Sequence, residues 1–397
     1  MVCQDRLKLI QNELVTQQMD ALFVRAGVNV LAMLGYWPGN HAVAGLIPAT
    51  GKPVLLVPET EYEDACRAID EDLVVLKTYG LESTTILRSA MDAMLHTLTH
   101  EIKRLGLTSG KIGLELSLED GAVGKLAGDF KYPSKPTWDQ LENAFAQGKF
   151  LDATDIILRL RMKKTKLEID FVKKAINIAQ KGLDMLYNTE LESMTEAQLG
   201  ALIEGTIHGE GTGKNGLALS RAFASVYSGE RSAKQWTHYA YSSGRRIHRG
   251  DMVVVELGSV SDGYWCDLTR CAPAGRASNK MKMTLSLLIE AQNRGLAAVK
   301  VGEPFSTVND ACHNFLKSKG FDEMYYKHAC GHGTGFNYHE GPPIHAASGQ
   351  LMEEGMVMCI EPGLYFPGEF GLRTEDIFVV TQHGAELLSR HPHSFTD

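Results

Sequence analysis

Glu256, Asp267, His332, Glu361 and Glu375 are the residues of this chain whose types and surroundings could do chemistry together. Each ends or flanks an apolar run: Glu256 closes Met252-Val253-Val254-Val255, Glu361 closes Met356-Val357-Met358-Cys359-Ile360, and Glu375 precedes Ile377-Phe378-Val379-Val380. An acid at the end of a buried strand needs a partner, because burying an unpaired charge is costly. Four carboxylates and one imidazole are hard or borderline donors, so a pocket lined by them would suit a pair of divalent ions such as Mn²⁺, Co²⁺, Fe²⁺ or Zn²⁺.

The spacing adds detail. After Glu256 come Gly258 and the stretch Asp262-Gly263-Tyr264-Trp265-Cys266-Asp267, a hairpin turn and a returning strand, so two inward carboxylates eleven residues apart can face one another. His332 and His339 share the Gly-rich segment Gly331-His332-Gly333-Thr334-Gly335, continuing to Glu340-Gly341-Pro342, where missing side chains permit close backbone approach. Glu361 is held between its strand and Pro362-Gly363, and Glu375 stands in Leu372-Arg373-Thr374-Glu375-Asp376.

The elements that must position these groups divide into two regions. Up to about residue 155 the pattern is α/β alternation. A helix carries Leu7, Ile10 and Leu14, short apolar runs follow at 21–24 and 54–57, and a further helix is expected around 85–105. Turns at Trp37-Pro38-Gly39-Asn40 and Gly51-Lys52-Pro53 punctuate it, without a Gly-rich phosphate cradle. Beyond the turn-rich Tyr132-Pro133-Ser134-Lys135-Pro136, a long helix is expected to end near Asn188, a second to start with Ser193 and Glu196 as a capping box, and a third to begin near Ser278. Strand-like runs at 222–226, 252–256, 356–361 and 377–380 make this second region α+β, with the carboxylates at strand ends. The expected domains are 1–155 and 156–397.

A chain of 397 residues with 44% hydrophobic residues suits two globular domains. A net charge of −8, with no long basic run, argues against nucleic acid as a partner. Seven scattered cysteines without a Cys-x-x-Cys pair indicate neither a disulfide framework nor a thiolate zinc site and point to a reducing cytoplasm. No apolar stretch reaches the length of a membrane span.

The ordered motifs resemble those of the pita-bread metallohydrolases, the superfamily of methionine aminopeptidase, aminopeptidase P, prolidase and creatinase. The resemblance covers residues 155–397 most strongly, while the N-terminal half more weakly resembles the lid domain of prolidases and creatinases. It implies an α/β N-terminal domain plus an α+β pita-bread domain with its site in the concavity of the central sheet. It also implies two divalent metal ions on Glu256, Asp267, His332, Glu361 and Glu375, where the peptidases carry Asp, Asp, His, Glu and Glu. Glu361 takes the place of the general base. His238 and His339 match histidines that contact the substrate carbonyl or the developing oxyanion, and Arg373 stands where prolidases hold a substrate carboxylate. The implied activity is hydrolysis of a peptide or small amide C–N bond, most simply by an Xaa-Pro dipeptidase or aminopeptidase. The implied assembly is a homodimer in which the lid, with Trp37, Pro38 and His41, borders the neighbouring pocket.

One residue departs from the peptidase pattern. Glu256 replaces the usual first Asp and sets its carboxylate one methylene further from the backbone. Creatinase and ectoine-type hydrolases, which work without metal, resemble this chain at that position. The alternative is therefore a metal-independent hydrolase of a small nitrogen compound, with His238 as acid/base and Glu256 and Glu361 fixing the substrate. A third reading is a non-catalytic binding protein on the same fold.

Other residues read more plainly. Arg373 is also placed to pair with Asp376 or with one of the acids as support. Cys266 alternates to the face opposite Asp267 and reads as packing, as do Cys330 and the run from Met352 to Cys359. Asp262 and Glu340 read as structural, and His345, His391 and His393 as solvent-facing.

Overall fold

The apolar runs Ala21-Leu22-Phe23-Val24 and Val54-Leu55-Leu56-Val57 are buried at every position, the signature of inner strands covered on both faces. They belong to the first of two units in a computed structural model that describes residues 4–39, 43–69, 73–78, 90–116, 135–145, 147–236, 242–322 and 327–395. Among the described residues, the first unit runs to Arg161 and the second begins at Met162. Thus the change of unit lies within the helix Thr154–Met162.

In the first unit, β1 (Ala21–Val24), β2 (Ala44–Pro48), β3 (Val54–Val57), β4 (Val74–Lys77), β5 (Lys111–Leu114) and β6 (Lys149–Asp152) form a mixed sheet in the order β4-β3-β2-β1-β5-β6. Helix Gln4–Thr16 buries Leu7, Ile10 and Leu14, one helical face. Helix Ala90–Arg104 sets Met94, Leu98 and Ile102 into the sheet's core at four-residue spacing.

The second unit opens with helix Lys166–Asn188. Thr165 and Glu168 close a capping box at its start. The next helix, Glu196–Gly211, is capped two residues later than expected, by Thr195 with Gln198. Ser193 ends a short 3₁₀ turn, and the Glu196 carboxylate turns inward instead, accepting from the amides and hydroxyls of Ser228 and Ser243 and from Arg231. Buried and so fully engaged, it has no oxygen to spare for a cap. Helix Asn279–Ala297 begins at Ser278, as expected, and helix Ser306–Ser318 follows.

β7 (Ser220–Ser228), β8 (Met252–Ser261) and β9 (Tyr264–Pro273) form an antiparallel sheet. β10 (Gly331–Gly333), β11 (Glu340–Ile344), β12 (Val357–Ile360), β15 (Asp376–Thr381) and β16 (Gly384–Leu387) form another in the order β11-β10-β12-β15-β16, and β13 (Gly363–Phe366) pairs with β14 (Phe370–Arg373). The strand expected to end at Glu256 continues to Ser261, because β7 and β9 pair with it on both edges through Gly258 and Ser259. Asp262 and Gly263, both with positive φ, make the tight turn between β8 and β9, and the Asp262 carboxylate accepts from the amides of Ala218 and Leu219.

The histidines read as solvent-facing divide. His345 is exposed, but His391 and His393 are not: His391 Nε2 lies 3.1 Å from Asp184, and His393 Nε2 lies 2.7 Å from Asp376 in a largely buried position. The tail after β16 folds back over the buried Arg270–Asp376 pair, and its sequence has no periodic element to signal this.

Candidate metal centre

Two strand pairs carry the acids to one place. Across β8 and β9, Glu256 lies opposite Thr269 and Gly258 opposite Asp267, so Glu256, Asp267 and Thr269 share one face as cross-strand and diagonal neighbours. A side chain at Gly258 would run into the Phe223 ring, with Tyr338 also close. On the other sheet, His332 sits on β10, where the register with β11 shifts between His332 and Gly333. A Cβ at Gly331 would lie 2.0 Å from the Cys359 carbonyl oxygen, so glycine there lets the two strands meet. The Glu361 amide donates to the Cys330 carbonyl at 2.8 Å, placing Glu361 beside His332. Glu375 lies between β14 and β15.

All five expected donors converge. His332 Nε2 lies 3.5 Å from Asp267 Oδ2 and 3.4 Å from Glu361 Oε1. Its Nδ1–H donates to the Gly333 carbonyl at 2.9 Å, which leaves Nε2 facing the acids. His339 Nε2 reaches Asp267 Oδ2 at 3.2 Å, and its ring lies against those of His332 and Tyr338. His238 and His41 lie outside the described residues.

Arg373 is buried among the acids. Its Nη2 is 3.1 Å from Glu256 and 3.6 Å from Glu375, and its Nη1 is 3.3 Å from Glu361. Asp376 pairs with Arg270 instead. Sequence reasoning did not single out several of the other contacts. Tyr338 donates its hydroxyl to Glu256 at 2.7 Å, so both Glu256 oxygens are engaged. Thr269 donates to Glu375 and accepts from Arg373. His328 stands 3.8 Å from Glu361 and 2.8 Å from the Tyr365 hydroxyl. Strand alternation from Asp267 to Thr269 was the available signal for the threonine. The others depend on register across distant segments.

The electrostatics are those of crowded buried acids. Burial raises the Glu361 carboxyl to about 7, against the pull of Arg373 and His332. Burial, with Asp267 and Glu361 beside it, pushes Glu375 up as well. Burial would also raise Asp267, but His332 and His339 hold it down at about 2. His332 is the reverse: burial lowers it, yet Asp267 and Glu361 raise it to about 9. His339 is lowered by burial and by His332.

Three of the four carboxylates share Arg373, and Asp267 Oδ1, Glu375 Oε1 and His332 Nε2 are buried with no hydrogen-bond partner. This excess of buried anionic and lone-pair donors fits divalent cations. Two groups of donors come close enough: Asp267, His332, Cys359 and Glu375, and Glu256, Asp267 and His339, with Asp267 common to both. Glu361 adjoins the first through His332.

Known proteins agree with this architecture. The chain is 28% identical to an Xaa-Pro dipeptidase of Pyrococcus furiosus over 390 residues, covering 98% of each chain. An X-Pro aminopeptidase from Thermotoga maritima superimposes with a TM-score of 0.79 at 26% identity, over 95% of this chain and 97% of that one. The prolidase from Pyrococcus furiosus does so at 0.75 and 26%, over 96% and 99%. Residues 6–163 match the creatinase/prolidase N-terminal domain, and residues 170–382, more than half of the chain, match metallopeptidase family M24. With its donors gathered in that matching segment, the chain belongs to metallopeptidase family M24 and carries a creatinase/prolidase-type N-terminal domain.

Proposed function

We propose that this chain is a metal-dependent hydrolase of short peptides that end in proline, an Xaa-Pro dipeptidase. The observation that carries the reading is the convergence of Asp267, His332, Glu361 and Glu375 around unpartnered buried donor atoms, in a chain alike over its whole length to an Xaa-Pro dipeptidase. Asp267, His332, Glu361 and Glu375, with Glu256, would hold two divalent ions drawn from Mn²⁺, Co²⁺, Fe²⁺ and Zn²⁺. Such ions, when bound, polarise a scissile carbonyl and acidify the attacking water.

The chain's own groups supply the proton handling. Glu361, raised to about 7 by burial, is placed to take the proton of the attacking water at its carboxylate. His339, lowered and therefore neutral, has an Nε2–H directed at Asp267 and is suited to stabilise a developing oxyanion beside it. His238 is assigned the same kind of contact from its sequence motif. Arg373 holds Glu256 and Glu361 in place and supplies the positive potential that a substrate carboxylate requires. The N-terminal unit is assigned the role of lid and dimer contact, which light scattering of the purified chain tests. The free cysteines, Cys66 exposed and Cys266, Cys271, Cys312, Cys330 and Cys359 buried, suit the cytoplasm. Among the described residues no helix is long and apolar enough to cross a membrane.

One observation favours a second reading. Tyr338 and Arg373 engage both oxygens of Glu256, which draws it away from metal ligation and favours a metal-independent amidohydrolase. Elemental analysis of the purified chain, with hydrolysis of Xaa-Pro dipeptides measured before chelation, after it and after metal return, separates the two. Cleavage that disappears and returns with the metal supports the dipeptidase. Metal-free turnover of creatine-like or ectoine-like compounds supports the amidohydrolase, and an inert protein supports neither.

A further inference from the structure

β12 sends its residues to two different places. Met358 and Ile360 enter the apolar core together with Met356, while the alternate residue, Cys359, is absent from that core and shares the opposite side of the strand with Glu361. Its Sγ lies with a carboxylate oxygen of Asp267, a ring nitrogen of His332 and a carboxylate oxygen of Glu375, all four atoms within 4.8 Å of one another. The thiol is fully buried, and its polar contact is a long one, 3.9 Å to the Asp267 carbonyl oxygen. Asp267 Oδ1, His332 Nε2 and Glu375 Oε1 are themselves buried without hydrogen-bond partners around it. Two acids and an imidazole, rather than the apolar core, thus surround the thiol.

We propose that Cys359 is a metal ligand, and that the half of the centre formed with Asp267, His332 and Glu375 therefore selects zinc or cobalt over manganese or magnesium. The proposal rests on the metallopeptidase reading and adds a soft donor to an otherwise hard set. Thiolate and imidazole favour Zn²⁺ and Co²⁺, whereas sets of oxygen donors alone suit Mn²⁺ and Mg²⁺. On binding, the Cys359 Sγ–H bond breaks, the sulfur keeps the electron pair and gives it to the cation, and the proton leaves to solvent. Among the described residues, Cys266, Cys271, Cys312 and Cys330 join no such group, although they are buried too.

Cobalt makes the sulfur visible. The full chain is stripped of metal by chelation, titrated with Co²⁺ and followed in the near ultraviolet, where thiolate-to-cobalt charge transfer absorbs. The band is expected in the native chain and in Cys312→Ser, and it should be lost in Cys359→Ser. Dialysis against equal zinc and manganese, followed by elemental analysis, should show the zinc preference falling about tenfold or more in Cys359→Ser, on the scale of ligand-shell changes. Should Cys359→Ser fail to fold, zinc-edge X-ray absorption of the native chain decides the matter, with sulfur expected at about 2.3 Å. Cobalt bound without the band, or zinc without sulfur, overturns the assignment of Cys359 and leaves the metallopeptidase reading standing. A chain that binds neither ion overturns both.

Discussion

The Thr269 hydroxyl joins Glu375 to Arg373: it donates to Glu375 Oε2 at 2.6 Å and accepts from Arg373 Nε and Nη2 at 2.9 and 2.7 Å. One small side chain thus fixes the orientation of Glu375 and of the guanidinium that holds two further acids. Thr269→Val keeps the shape and removes all three bonds. Metal affinity, measured by calorimetric titration of the apo chain, should fall about 10–100-fold. Unchanged affinity would show that Glu375 is oriented by other contacts.

His332→Ala removes an imidazole that faces both Asp267 and Glu361. The variant should purify with its metal content reduced and show no measurable turnover of Xaa-Pro dipeptides. Full turnover in a metal-free His332→Ala preparation would end the metal-dependent reading.

Glu256→Asp draws the carboxylate back by one methylene, away from Tyr338 and Arg373. Freed from those partners, it should bind a cation together with Asp267 more tightly. Manganese titration is expected to show a stronger second binding step in the variant than in the native chain. A weaker step would mean that the longer side chain is the better ligand here.

Asp376 contributes to the acid limb of stability, alongside Asp267. Burial would raise its carboxyl, but Arg270, His393 and Ser389 outweigh burial and hold it far below the usual carboxylate range. A depressed folded-state pKa contributes stability above the unfolded value, about 3.9, and loses it as pH falls from there toward the folded value. Asp376→Asn leaves Arg270 buried without its counter-charge, which should cost about 3–5 kcal/mol at neutral pH. It should also flatten the decline in stability below about pH 4. Urea unfolding from pH 7 down to pH 3 checks both, and a native-like acid limb in the variant would assign the effect to another group.

The sequence made the periodic elements plain. The runs 21–24 and 54–57 needed no tertiary information, because continuous apolar stretches of four residues with turns beside them have few other homes. Helix Lys166–Asn188 was equally clear from its helical pattern, whereas its Thr165–Glu168 cap emerged only in the structure. The register was hidden. Glu256 lies in the middle of β8 because pairing on both edges carries Gly258 and Ser259 along, which local propensity disfavours. The four acids and the imidazole were legible as a set because each ends or flanks an apolar run. Cys359 was not, since on a strand of apolar residues only the neighbouring layer distinguishes a core thiol from one that faces acids. Tyr338 and Thr269 likewise acquire meaning only once distant strands are aligned.

Asp267 and Glu256 belong to the β8–β9 hairpin, whereas His332, Glu361 and Glu375 arrive with strands from a separate sheet. A cation shared between these donors would therefore rivet one sheet to the other. Its occupancy would add to resistance against unfolding by mass action, about 2.7 kcal/mol at a hundred times the dissociation constant. The protein would then lose mechanical cohesion and reactivity together when starved of its ion.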